Sequence, residues 1–256
     1  MLTMQRNLSN SFLAILAMPA TALGFALSVQ ISALSWILTT QYGLNIHDIG
    51  LVWAAGPIAG IFGQVIIGVW SDRVWLWRGR RRPFILVGGT IAALTLLALP
   101  NIDVVSSALG FEGILGVALA VVLSLDFAIN VGFNPTRSII ADVTPAGVER
   151  TRGYTWMQTV SGSFGVGAYA IGAIWNNYVL IYVAVVLVLL FSLIPPLLIE
   201  EPESLNTEDD AASASAEKTS FTGMLMAIQP LWGFLVYEVY AMSLRLAGIE
   251  QDHYYD

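Results

Sequence analysis

Six apolar runs, at roughly 12–38, 49–70, 84–100, 113–134, 155–175 and 178–199, order the first part of this chain. Each approaches the ~20 apolar residues that carry an α-helix across a bilayer. Charged residues make up 11% of the sequence and hydrophobic ones 56%, whereas a soluble domain carries about 25% charged residues. Lipid is therefore the solvent this chain is built for. The expected fold class is all-α: an integral membrane protein whose core is a six-transmembrane-helix bundle. Its fifth and sixth helices are divided only by Asn176-Asn177.

Charge sets the expected orientation. The chain has 11 Lys and Arg residues. With an inside amino terminus and six spans, all of them fall on or toward the cytoplasmic side, where basic residues are retained. The opposite loops, at about 39–48, 101–112 and 176–177, contain none. Arg6, an apolar run and Ala20-Thr21-Ala22 imitate a cleavable signal. The apolar character continues through Leu38, however, past that cleavage point. A multi-pass protein of the plasma (inner) membrane follows.

The densest cationic loop is Gly68–Pro83, GVWSDRVWLWRGRRRP, between the second and third runs. Retention of basic charge explains Arg73, Arg78, Arg80, Arg81 and Arg82. It does not explain the flanking Gly68 and Gly79, or Asp72 just ahead of the cluster.

An ionisable side chain at mid-membrane is costly and faces a cavity or a partner. Asp126 in the fourth run is such a group. Asn130 is one turn on and Arg137 about three turns on, so at 100° per residue all three share one helix face. A rise of ~1.5 Å per residue separates Asp126 from Arg137 by roughly 16 Å, too far for an ion pair. Pro135 between them is a kink point. Two readings of Asp126 stand: a carboxyl that exchanges a proton in a polar cavity, or a structural carboxyl bonded to another helix. Arg137 either serves a site or snorkels to the interface. Ser28 and Ser32 are further polar groups, and Gln30 and Gln64 either offer paired donors and acceptors to sugar hydroxyls or join helices.

Other features read as architecture. Gly56 and Gly60, and Ser161 and Gly165, have the small-xxx-small spacing that lets helices approach closely. Trp53, Trp70, Trp75, Trp77 and Trp175 fall near span ends, as interfacial belts require. There is no HExxH, no G-x-S-x-G and no phosphate-cradling loop. Without cysteine there is neither a disulfide framework nor a cysteine metal site. No enzyme, metal or cofactor is expected, and no basic stripe for nucleic acid lies outside the membrane-flanking loops. The expected organisation is a bundle over 1–199 and an acidic, disordered cytoplasmic linker over 200–220. A membrane-associated or amphipathic segment over 221–256 completes it.

The loop residues Gly68, Asp72, Arg73, Gly79, Arg80 and Arg81 resemble the signature between the second and third helices of the major facilitator superfamily. A narrower resemblance is to the sucrose–proton symporters of the glycoside–pentoside–hexuronide class. In those proteins Ser-Asp-Arg and Gly-Arg-Arg-Arg-Pro are likewise five residues apart, as Ser71–Arg73 and Gly79–Pro83 are here. Trp53, Gly56-Pro57, Gly60, Gln64 and Gly68 match in register, as do Asp126, Asn130, Pro135 and Arg137. Departures are Ser28, where the group has glutamine, and Asn134, where it has glycine. The resemblance implies the amino-terminal half of a proton-coupled sugar carrier, with sugar, protons, the bilayer and a second six-helix half as partners. It implies proton coupling by Asp126, and sugar binding or coupling by Arg137, with Asn130, Gln30 and Gln64 as further sugar contacts. It also implies that the arginine-rich loop latches the cytoplasmic ends. The alternative is a truncated, non-transporting membrane scaffold.

Overall fold

The computed structural model describes residues 3–110 and 113–202, except for the side chains of 3–4, 55, 58–59, 61–66, 68–70, 72–73 and 109. Expectations for the rest of the linker and for 221–256 lie outside the described residues. A short helix α1 (Thr3–Arg6) precedes α2 (Asn10–Thr40), α3 (Ile46–Arg73) and α4 (Arg82–Ala98). A 3-10 turn, Leu99–Asn101, joins α4 to α5 (Ile102–Leu109). Helices α6 (Ile114–Val143), α7 (Val148–Ile174) and α8 (Asn177–Leu198) follow. Among the described residues there is no strand, only an isolated bridge between Leu76 and Gly79.

Among the described residues, four stretches are long and apolar enough to cross a membrane: α2, the continuous run from α4 through α5, α6 and α8. The long helices fall on the six apolar runs, with two differences. Helix α6 outruns its apolar run, continuing through Pro135 and Arg137 to Val143. Inside a bundle, neighbouring helices and hydroxyl side chains compensate the hydrogen bond that proline forfeits. Helix α7 begins at Val148, and its first two turns carry Glu149, Arg150 and Arg152. The connection near 101–112 contains α5, which ends at Gly110 in the left-handed conformation that glycine adopts without a Cβ penalty.

Side-chain caps mark the starts. Asn45 Oδ1 accepts from Asp48 N–H at 3.0 Å, and Asn176 Oδ1 from Val179 N–H at 2.8 Å. The two-asparagine turn between α7 and α8 is thus made by Asn176 satisfying one of the free donors of α8.

Helix α2 packs against α6, α7 and α8, while α4 packs against α6 and α8 and α3 against α6. In lipid such association rests on close packing rather than on expulsion of water. Glycines set the spacing. A Cβ on Gly88 would lie 2.9 Å from the Ala128 carbonyl oxygen, so α4 and α6 touch through backbone. Gly24 and Ser28 of α2 face Ser161 and Gly165 of α7 reciprocally, at 3.6 Å and 3.5 Å from the glycine Cβ positions.

The ends of the bundle differ in chemistry. One end gathers Gln5, Arg81, Asp142 and Glu200 from α1, the α3–α4 loop, α6 and the chain after α8. The other joins Gln41 and Tyr42 to Pro100, Ile102 and Tyr178. Tyr42 accepts from Ile102 N–H at 2.8 Å, and burial holds its hydroxyl above the ordinary tyrosine value, so it stays neutral. Chain direction therefore alternates from helix to helix, and the arginines collect at one end.

Candidate functional site

Three helices meet at Asp126. Its half-buried carboxyl on α6 accepts a 3.0 Å hydrogen bond from Gln30 Nε2 on α2. Its second oxygen, Oδ2, is buried with no hydrogen-bond partner among the described residues, and so is Gln30 Oε1. Gly56 of α3 provides the room, because a Cβ there would stand 2.7 Å from Asp126 Oδ2. One turn along, Gly60 faces the Asn130 side chain at 3.5 Å from the Cβ position. Asn130 Nδ2 donates back to the Asp126 carbonyl at 2.7 Å. The small-xxx-small pair of α3 is thus fitted to the two polar side chains of α6. Gln64 lies on α3 with its side chain outside the described residues.

Arg137 stands apart from this cluster. Roughly 16 Å along α6 from Asp126, its guanidinium carbon sits 4.8 Å from the centre of the Phe133 ring. That stacking leaves the donors free to turn toward a ligand. Arg137 lines a cavity of about 250 Å³ between α2, α6 and α7, with Ser28, Thr136, Gln158 and Ser161 as polar neighbours. Complete small-molecule sites enclose about 300–1,000 Å³. Gln30, only 1% exposed, is not among the cavity residues.

The arginine-rich loop forms the third assembly. Leu76 and Gly79 exchange backbone hydrogen bonds around Trp77 and Arg78, both of which have positive φ. Arg81 Nε pairs with Asp142 Oδ2 of α6 at 3.0 Å, with the two side chains 8% and 10% exposed. Its Nη1 donates to Ser71 Oγ at 3.0 Å. The Glu201 carboxylate accepts from the backbone N–H groups of Arg80, Arg81 and Arg82 at 2.6, 2.8 and 2.8 Å. An anion over the first free donors of α4 also meets the positive end of the helix dipole. A Cβ on Gly79 would stand 2.5 Å from Glu201 Oε1, so glycine is what admits that carboxylate. Gly68, Asp72 and Arg73 lie on α3, with side chains outside the described residues.

A family model described as the Major Facilitator Superfamily matches residues 16–249. The chain belongs to that superfamily. Its superfamily is one of transporters, and with its long apolar helices it is a multi-pass membrane protein. Similar proteins include the mouse Proton-associated sugar transporter A, 36% identical over 144 residues, which are 54% of this chain and 19% of that protein. The rice (Oryza sativa subsp. indica) Sucrose transport protein SUT5 is 33% identical over 139 residues, 50% of this chain and 26% of that protein. The Arabidopsis thaliana Sucrose transport protein SUC3 is 29% identical over 154 residues, 56% of this chain and 26% of that protein. The matched stretch thus spans between about a fifth and a quarter of these relatives' length.

Several participants escape a linear reading. Gln158 and Thr136 carry no motif, and only their place on the cavity singles them out. Asp142 belongs to no motif and Glu201 falls in the stretch read as an acidic linker, yet each bonds the arginine loop. Only the spacing from Arg81 to the Asp142 end of α6, known once the helices are placed, makes that pair visible.

Proposed function

We propose that this superfamily member is the amino-terminal six-span half of a proton-coupled symporter for a sugar, of disaccharide or glycoside type. Six helices would cross the plasma membrane with the amino terminus and the arginine-bearing end in the cytoplasm, and the residues after Ile199 would lead to a second six-helix half. Asp126 carries the proton. Arg137 holds the sugar, with Ser28 and Gln158 beside it. Asn130 and Gln64 form the polar surroundings from which further sugar contacts are drawn, while Gln30 stands off the cavity, bonded to Asp126. The loop through Gly68, Asp72, Arg73, Gly79, Arg80 and Arg81 latches the cytoplasmic ends while the site faces outward.

The observation that carries this reading is the Asp126 carboxyl. A purely structural carboxyl in lipid would have both oxygens bonded. This one has one oxygen bonded to Gln30 and one buried without a partner. A cavity smaller than a complete sugar site supports the requirement for a facing half. Names of similar proteins that carry sugar or sucrose support the substrate class. The test is uptake across a sugar panel by the complete carrier in energised vesicles. Accumulation that collapses with a protonophore and persists when sodium is removed is expected. Absence of any sugar accumulation would leave the non-transporting scaffold as the better description.

A further inference from the structure

We propose that Gln30 is the positioning residue for the transported proton, closing a two-hydrogen-bond ring with Asp126 when that carboxyl is protonated. The inference rests on the reading of Asp126 as the proton carrier. Gln30 Nε2 already donates to Asp126 Oδ1 at 3.0 Å. The atoms left over are an acceptor on each partner, Gln30 Oε1 and Asp126 Oδ2, both buried and both without a partner among the described residues. Two acceptors cannot bond each other, but a single added proton joins them. A proton taken from water forms an O–H bond at Oδ2, and that O–H donates to Oε1 while the Nε2–H···Oδ1 bond stays in place. On release the O–H bond breaks and the proton returns to water on the other side, with no change in oxidation state.

The amide is suited to both states. Its terminal torsion is soft, so Oε1 turns to meet the new donor without leaving a side-chain well. Toward the anion it offers a charge-assisted donor, about twice as strong as a neutral one. Toward the acid it offers two neutral bonds. Each protonation state therefore keeps a comparable partner, and the proton can arrive and leave. The acid form ties α2 to α6 more fully than the anion does.

Among the described residues nothing else competes for the carboxyl. Helix α2 has no Asp, Glu, Lys, Arg or His between Asn10 and Thr40. On the elements packed against α6, the described ionisable side chains are His47 and Asp48 on α3, Arg82 on α4, Asp103 on α5, and Glu149, Arg150, Arg152, Tyr154 and Tyr169 on α7. On α6 itself they are Arg137 and Asp142. None of these has a hydrogen bond or ion pair to the Asp126 carboxyl. Gln30 is 1% exposed and off the cavity, which sets this role apart from that of a sugar contact.

The test is proton-induced infrared difference spectroscopy on the purified complete carrier, with sugar uptake measured in parallel. A carboxylic C=O band that appears on acidification and vanishes in Asp126→Asn identifies the group. In Gln30→Met, which keeps the length and removes both polar atoms, that band should move to higher frequency, as expected for a carbonyl that loses its donor. The KM for sugar at saturating proton concentration should stay within twofold. Gln30→Leu, which also lacks the amide donor and adds no ionisable group, carries the same test if Gln30→Met does not accumulate. An unmoved band, or a tenfold rise in KM with an unmoved band, overturns the role of Gln30. A wild-type spectrum with no band sensitive to Asp126→Asn instead overturns the reading of Asp126 on which the role rests.

Discussion

Gly56 and Asp126 fit together as a glycine and the carboxyl it makes room for. A side chain at 56 would begin 2.7 Å from Asp126 Oδ2, inside the contact distance of the two atoms. Helix α3 can lie against α6 at this level only because position 56 has no Cβ. Any swing of α3, for which Gly56-Pro57 offers a bend point, changes the space around that oxygen.

Gly56→Ala is therefore expected to displace the carboxyl or the helix. Sugar accumulation should fall at least tenfold while the protein still reaches the membrane. Gly60→Ala is the matched control, since a Cβ there meets Asn130 Nδ2 at an ordinary 3.5 Å and should leave transport within twofold. Uptake assays normalised to surface protein compare them. Equal loss in both would indicate general sensitivity of α3.

Arg81 and Asp142 are paired while almost wholly enclosed. Removing one partner of a buried pair leaves an uncompensated charge and costs about 3–5 kcal/mol. Arg81→Met or Asp142→Leu alone should lower the unfolding temperature strongly, and the double substitution should recover much of the loss. A thermal double-mutant cycle in detergent reads this coupling, and additive losses would show the pair to be energetically unimportant.

Glu201 reaches three successive N–H groups at the start of α4. Hydrogen bonds to a charged group contribute about 1.5–3 kcal/mol each at most, so Glu201→Ala should loosen the loop measurably. Gly79→Ala should produce the same phenotype, because its Cβ takes the place of Glu201 Oε1. Faster amide exchange at 80–82 in both variants is the expected result. Unchanged exchange in Glu201→Ala would show that water satisfies those donors equally well.

Arg137 stacks on Phe133 at the edge of the cavity. Arg137→Lys keeps the charge and loses the planar fork that pairs with vicinal hydroxyls and stacks on the ring. The sugar KM should rise at least tenfold, with Phe133→Leu giving a smaller rise. A wild-type KM in Arg137→Lys would remove the residue from the sugar site.

The places where the sequence spoke clearly are those governed by local periodicity. Apolar runs located the long helices, and the i to i+4 spacing of Asp126 and Asn130 anticipated a shared face that the Asn130-to-Asp126 backbone bond realises. Pro135, read as a kink point, lies inside α6, which runs on to Val143, because proline is tolerated within a packed bundle. The Gln30–Asp126 contact joins residues 96 apart in sequence. No periodicity relates α2 to α6, so only the packing of whole helices reveals it. Glu201 was hidden for a different reason: in an acidic stretch its charge reads as solvation, and its partners are backbone N–H groups, which leave no trace in side-chain identity.

The most direct measurement is proton-driven sugar accumulation by Asp126→Asn in the complete carrier, set beside sugar exchange in the same vesicles without a proton gradient. The account predicts that accumulation is lost while exchange, which needs no net proton movement, survives, since asparagine mimics the protonated side chain. Undiminished, pH-dependent accumulation by Asp126→Asn would contradict it.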